Sequence, residues 1–194
     1  MGSVVQLKPR AREEETASLG MIVFLASWAM MFSALFFAYG FVRTRSVTWP
    51  PPGVPVLPIG LPAINTVVLL ASSFTFARGL DALRRGHRSA LPRWVAATFA
   101  LGALFLVLQT IVWRSVWMDG LTIQTGMYGS VFYALTTFHA LHVATGLVIL
   151  VLLFARSLRA RYTEHNTVNV RLCTMFWHFV DVVWILMFLT LYIL

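Results

Sequence analysis

Apolar positions in this chain do not alternate with polar ones but run together in long blocks separated by short polar segments. Five blocks, at about 19–42, 61–83, 92–113, 127–155 and 170–194, reach the roughly 20 mostly apolar residues that a helix needs to cross a bilayer. The second is the weakest, since "SSFTFARGLDALRR" turns polar early. The fourth is long enough to tilt or to project beyond the hydrocarbon. Between the first two lies "TWPPPGVPVLPIGLP". Proline there removes donors and fixes φ, so the pattern predicts an extended surface loop, with Trp49 near the interface. The predicted fold class is all-α: a polytopic membrane protein in which an N-terminal arm, 1–18, precedes a five-helix transmembrane domain, 19–194.

The Lys and Arg residues predict an orientation. Lys8, Arg10 and Arg12 lie in the arm, and Arg78, Arg84, Arg85, Arg88 and Arg93 border the second-to-third connection. Arg156, Arg159, Arg161 and Arg171 border the fourth-to-fifth connection. If five spans alternate, these twelve share one side, and only Arg43, Arg45 and Arg114 fall on the other. The positive-inside rule then puts the N-terminus in the cytoplasm and the C-terminus outside.

Composition narrows the function classes. Hydrophobic residues make up 59% of the chain and charged ones 11%, less than half the usual share of a soluble domain. The net charge of +8 sits in short segments between apolar runs, so it points to a membrane surface and not to nucleic acid. A single cysteine, Cys173, excludes an internal disulfide framework and a thiolate-rich zinc cluster. The N-terminus lacks the apolar core and cleavage site of a signal peptide, and Gln6 stands where a myristoylation motif needs Ser or Thr. No repeat of fixed period is visible, and five spans do not divide into the equal halves of an inverted-repeat transporter. Small residues at helical spacing, such as Ala96 with Ala100 and Ala140 with Ala144, suit close helix packing.

Four ionisable side chains fall at membrane depth: His139 and His142 on the fourth span, and His178 and Asp181 on the fifth. Members of each pair are three residues apart and share a helix face. Rise per residue places Asp181 nearest in depth to His142, and suggests a cross-helix cluster in which an imidazole or a Trp N–H holds Asp181. Three readings remain open. A haem needs ligands from opposite faces, so His139 and His142 cannot both bind one iron, although either with His178 can. A zinc or copper site suits the residue types but lacks a catalytic base. The third reading is an internal polar network that sets helix register. Asn65, Thr66, Ser72 and Ser73 on the second span suit hydrogen bonding between helices, and Trp177 and Trp184, one heptad apart, suit helix packing.

The motifs "FHALHVATG" and "FWHFVDVVW", together with "LPAINTVVLLASS", "LGALFLVLQ" and "MYGSVFYALTTFHALHV", resemble subunit III of the haem–copper oxidases over about residues 19–194. Five spans match the short bacterial form of that family, which lacks the first two helices of the seven-helix version. The resemblance implies a subunit without haem, copper or catalytic residues of its own, packed beside the oxidase catalytic subunit I and subunit II, which carry haem and copper. It implies bound phospholipid in a cleft between helix groups, with the first two spans set against the remaining three, and support of assembly, proton uptake and sustained turnover. His139, His142, His178 and Asp181 fall on motif positions of structural character. Arg156, Arg159 and Arg161 are candidate contacts for anionic phospholipid headgroups.

Departures from the family pattern bear on function. Where relatives show a Glu in a first-span pattern like "ASEVMFF", this chain reads "ASWAMMF", with Trp28. Other common acids are replaced by Val112, Thr125 and Arg171. An indole cannot bind and release protons, so a proton-collecting role at Trp28 is in doubt, whereas scaffold and lipid roles rest on packing and on Arg. The resemblance thus implies a non-catalytic subunit of a proton-pumping oxidase that reduces dioxygen with electrons from cytochrome c or quinol. Alternatives are a subunit III-like partner of nitric oxide reductase, an independent small transporter or channel, and a membrane haem protein.

Overall fold

The computed structural model describes residues 9–49, 51, 53–159, 162, 163 and 166–194. Five long helices dominate it: α1 (Pro9–Arg45), α2 (Gly60–Arg84), α3 (Leu91–Met118), α4 (Met127–Leu158) and α5 (Val168–Phe188). The last continues as a π-helical turn, Leu189–Ile193. All five are long and apolar enough to cross a membrane, and among the described residues the only β pairing is an isolated bridge between Thr163 and Asn166. Helices suit this composition because lipid offers no partner for backbone N–H and C=O groups, and a helix satisfies them within its own segment.

Local chemistry sets the ends. Pro9 stands at the first position of α1, where its missing N–H costs nothing. Residues 9–18, expected as part of an arm, are helical and continuous with the first span, while residues 1–8 and Lys8 with them lie outside the described residues. With 37 residues α1 is about 55 Å long at 1.5 Å per residue, well beyond a hydrocarbon core of about 30 Å. Gly86 closes α2 in the left-handed region at φ +83°, where the His87 N–H reaches back to the Ala82 carbonyl at 2.9 Å. Gly120 does the same after α3, with the Leu121 N–H bonded to the Val116 carbonyl at 3.0 Å. The described residues of the proline-rich segment between α1 and α2 are without helix up to Gly60, as the prolines require.

The helices have a definite order in space. α2 lies along α3 and α5, α3 along α4, α4 along α5, and α1 along α4 and α5. The sequence α2–α3–α4–α1 therefore forms an arc around α5 that is open between α1 and α2. This corrects the grouping expected from the resemblance: α2 is not paired with α1 against the other three but is embedded against α3 and α5. α1 is the loosely attached helix. Only 6% of its most apolar stretch is buried within the chain, against 33–44% for the other four spans.

The core centres on α5. Trp177 and Trp184 are its largest fully buried side chains, and the Trp177 ring lies against two helices that carry glycine at the contact. A Cβ on Gly102 of α3 would stand 2.8 Å from Trp177 Cη2, and one on Gly146 of α4 would stand 2.7 Å from Trp177 Cζ3. A rigid indole cannot yield as the end of a flexible chain would, so these glycines are the condition for three helices meeting over one ring.

Gly102→Ala and Gly146→Ala are each expected to destabilise the bundle by about 1–3 kcal/mol through overpacking. Gly40→Ala on α1, where nothing lies within 4 Å of the added carbon, is expected to be neutral or slightly stabilising. Thermal unfolding of the three variants in mild detergent distinguishes these outcomes.

Candidate functional site

Polar side chains inside this bundle lie mainly at the seams between helices. Trp177 Nε1 donates to Ser72 Oγ at 3.0 Å, and Trp184 Nε1 donates to Thr66 Oγ1 at 2.9 Å. Together these bonds lock α5 antiparallel to α2, because two indoles seven residues apart find two hydroxyls six residues apart running the other way. Asn65 Nδ2 donates to Gln109 Oε1 at 3.2 Å, and Thr75 and Thr98 share a 2.9 Å bond, joining α2 to α3. Trp113 Nε1 donates to Thr136 Oγ1 at 3.0 Å between α3 and α4. The second-span residues thus sit at helix seams, as their sequence pattern suggested. Gln109 was not singled out in the sequence, although a lone amide in an apolar third span is itself a signal of an internal partner.

The four ionisable residues at membrane depth do not come together as one cluster. His139 is 1% exposed and packs between Phe105, with ring centroids 5.7 Å apart, and Trp184, at 5.2 Å. Among the described residues neither of its nitrogens has a hydrogen-bond partner. His142 faces α1: its ring lies 4.2 Å from that of Trp28, edge to face, and 5.3 Å from that of Phe32. Its Nδ1 lies 2.6 Å from the Phe138 carbonyl oxygen. A carbonyl only accepts, so Nδ1 is the donor in this bond. His178 and Asp181 lie on the other side of the bundle, toward α2. His178 Nδ1 meets Ser73 Oγ at 2.5 Å and lies 3.9 Å from Asp181 Oδ2.

The imidazole beside Asp181 is therefore its neighbour on α5, not His142. Depth along a helix put Asp181 and His142 at one level, but depth leaves rotation about the axis free. The Trp177 and Trp184 indole N–H groups on the same helix go to Ser72 and Thr66, not to Asp181. Among the described residues no group of three or more His, Cys, Asp or Glu side chains is placed to hold a metal ion. Trp28 occupies its position as a packing residue, between Phe24 at 6.0 Å and His142.

Charges gather where helices end. Arg171, at the start of α5, donates from Nη2 to Ser18 Oγ of α1 at 2.6 Å. Arg43 at the far end of α1 lies over the Trp49 ring at 5.2 Å and donates to the Leu194 carbonyl. Arg156 and Arg159 are exposed at the end of α4. Arg156 lines a cleft of about 340 Å³ with Tyr162, Asn166 and Asn169. Arg161, the third expected headgroup contact, lies outside the described residues.

A family model described as Cytochrome c oxidase subunit III matches residues 11–194. The chain is 38% identical over 176 residues to "Cytochrome c oxidase subunit 3" of Synechocystis sp., covering 90% of this chain and 74% of that protein. It is 38% identical over 177 residues to "Probable cytochrome c oxidase subunit 3" of Mycobacterium tuberculosis, covering 90% and 86%. With "Cytochrome c oxidase subunit 3" of Thermostichus vulcanus it shares 37% over 177 residues, covering 91% and 86%.

The Asn65–Gln109 pair offers a direct measure of a polar seam. Asn65→Leu or Gln109→Leu alone leaves a buried amide without its partner and is expected to cost about 1–3 kcal/mol. The double variant is expected to fall short of the sum, with a coupling of about 0.6 and at most about 1.7 kcal/mol. A double-mutant cycle on unfolding in mixed micelles reads both values.

Proposed function

The chain belongs to the cytochrome c oxidase subunit III family, and from that premise we propose that it is a non-catalytic membrane subunit of a haem–copper terminal oxidase. The complex reduces dioxygen to water, and its haem and copper reside in partner subunits I and II. The observation that carries this reading is a family match over nearly the whole chain, together with a bundle interior whose indoles, hydroxyls and amides bond one helix to the next. Such an interior does mechanical work. It holds helices in register and leaves their outer faces for neighbours. The relatives compared above are all named for cytochrome c oxidase, which favours an oxidase over a nitric oxide reductase partner.

The chain's own contribution is to assembly, lipid retention and sustained turnover. His139, His142, His178 and Asp181 serve as internal contacts between helices, not as ligands. The aromatic walls of His139 and the separate settings of the other three support this assignment. Lipid retention rests on Arg156 and Arg159, exposed at one end of α4 beside a polar cleft, with Arg161 close by in sequence. Basic residues near an anionic surface each attract it by about 1 kcal/mol. With twelve Lys and Arg assigned to one side and three to the other, the N-terminus is cytoplasmic and the C-terminus outside. At the first-span position Trp28 offers an indole packed on His142 and no titrating group.

Mild-detergent purification through a tag on this chain is expected to bring down larger membrane subunits with the absorbance of haem. The chain alone is expected to show no Soret band and to move no solute in vesicles. Oxidase depleted of the chain should begin at a similar rate of oxygen consumption and lose activity sooner during turnover. A haem spectrum from the isolated chain, or the recovery of no oxidase subunit, refutes the assignment. In the Arg156→Ala/Arg159→Ala double variant, less anionic phospholipid per complex is expected by lipid mass spectrometry, with affinity lowered by about 1 kcal/mol per residue.

A further inference from the structure

We propose that the cleft where α1 ends and α4 begins is a binding site for a phosphate group, held by the Arg45 guanidinium, the Tyr128 hydroxyl and the first backbone N–H groups of α4. It lies at the opposite end of the bundle from Arg156 and Arg159, and it does not depend on the oxidase assignment.

The cleft measures about 480 Å³. Arg45 and Ser46 at the end of α1 line it, with Thr125, Met127 and Tyr128 at the start of α4 and Phe41 among its apolar walls. Three kinds of donor meet there. The first turn of a helix leaves N–H groups without an acceptor inside the helix. In α4 the earliest backbone bond runs from the Ser130 N–H to the Gly126 carbonyl at 3.1 Å, and no side chain caps the turn. The N–H groups of Met127 and Tyr128 are thus left over, at the positive end of a helix of 32 residues. Nearby hydroxyls are already engaged. Thr125 Oγ1 accepts from the Thr122 N–H at 2.6 Å, and Ser46 Oγ donates to the Val42 carbonyl at 3.0 Å.

Arg45 is exposed and has no ion pair among the described residues. Its guanidinium carbon lies 5.1 Å from the centre of the Phe41 ring, a contact that steadies the group and leaves N–H edges for an anion. Tyr128 is a wall of the cleft, 5% exposed, with its ring edge to face against Trp49 at 5.2 Å. Among the described residues its hydroxyl has no hydrogen-bond partner. A phenol so deeply held normally has a partner, and this one faces a cleft that can supply it.

These groups are donors, and no carboxylate lines the cleft. The two connections at this end of the bundle, 46–59 and 119–126, contain a single acid, Asp119. The ligand is therefore an anion. Its donors come from two helices, and within α4 from both backbone and side chain. A tetrahedral group can offer separate oxygens to each, which a planar carboxylate does less well. Helix N-termini and arginine are both suited to phosphate. The apolar walls leave room for a carbon substituent, so a lipid headgroup and a free phosphate present the same chemistry to the site.

The test titrates the full chain, in mild detergent with whatever subunits accompany it, with inorganic phosphate and separately with dihexanoylphosphatidylglycerol. Calorimetry is expected to show saturable binding of at least one probe. Arg45→Gln and Tyr128→Phe are each expected to weaken that binding about tenfold or more, the loss that follows removal of a hydrogen bond to a charged group. Tyr128→Phe keeps the ring on Trp49 and so reads the hydroxyl alone, whatever Arg45→Gln does to folding. Dependence on both residues supports the site with either probe: inorganic phosphate then identifies a free ion as sufficient, and the lipid alone identifies a headgroup. Saturable binding of neither probe, or binding that keeps its full strength in either variant, overturns the proposal.

Discussion

The indole N–H groups of Trp177 and Trp184 find acceptors inside the protein at a depth where hydrocarbon supplies none, and the register of α5 against α2 follows from how this is done. Trp177 and Trp184 on α5 are fully buried, and each donates to a hydroxyl on α2. Either bond alone is worth little, since hydrogen bonds between membrane helices average about 0.6 kcal/mol. Their value lies in what they forbid. Sliding α5 by one residue against α2, or turning it by 100°, strands two indole donors at once and drives the Trp177 ring into helices that have room for it only at Gly102 and Gly146. Packing and polar pairing therefore select the same register, which is the consistency expected of a sequence that specifies one structure.

α1 is attached by different means. Its contacts with the bundle occur at three levels: Ser18 with Arg171 near the start, Trp28 and Phe32 against His142 in the middle, and Tyr39 with Trp49 and Tyr128 near the far end. Arg43 covers the Trp49 ring at that last level. These are contacts of side-chain tips and ring edges, spread along a helix of which little is buried. Such a helix gains much of its covering from outside the chain, whether from lipid or from a neighbour, and this agrees with the role of a subunit that serves by being packed beside others.

Two of the side chains that join α1 to the bundle are also intelligible physically. Trp28 presents an aromatic surface to the His142 imidazole. Arg171 reaches the Ser18 hydroxyl across to α1, tying the first turn of α5 to that helix. Both side chains serve as contacts between helices, which suits a mechanical role.

Much of this protein was legible in the residues alone. Five apolar runs separated by basic segments determine five helices, because run length matches bilayer thickness and no other element satisfies its backbone in lipid. Prolines between the first two runs determine a break, and motifs from "LPAINTVVLL" to "WHFVDVVW" place the chain in its family. What the sequence left open is rotation about each helix axis. Counting residues set the depth of His142 and Asp181 at one level, yet it is tertiary packing that turns His142 toward Trp28, Asp181 with His178 toward α2, and His139 in between Phe105 and Trp184. In the same way α2 joins α3 and α5 and leaves the gap beside α1. An apolar helix in lipid has no solvent side to declare its orientation, so only the fit of rings into glycine hollows and of donors onto acceptors decides which face turns inward.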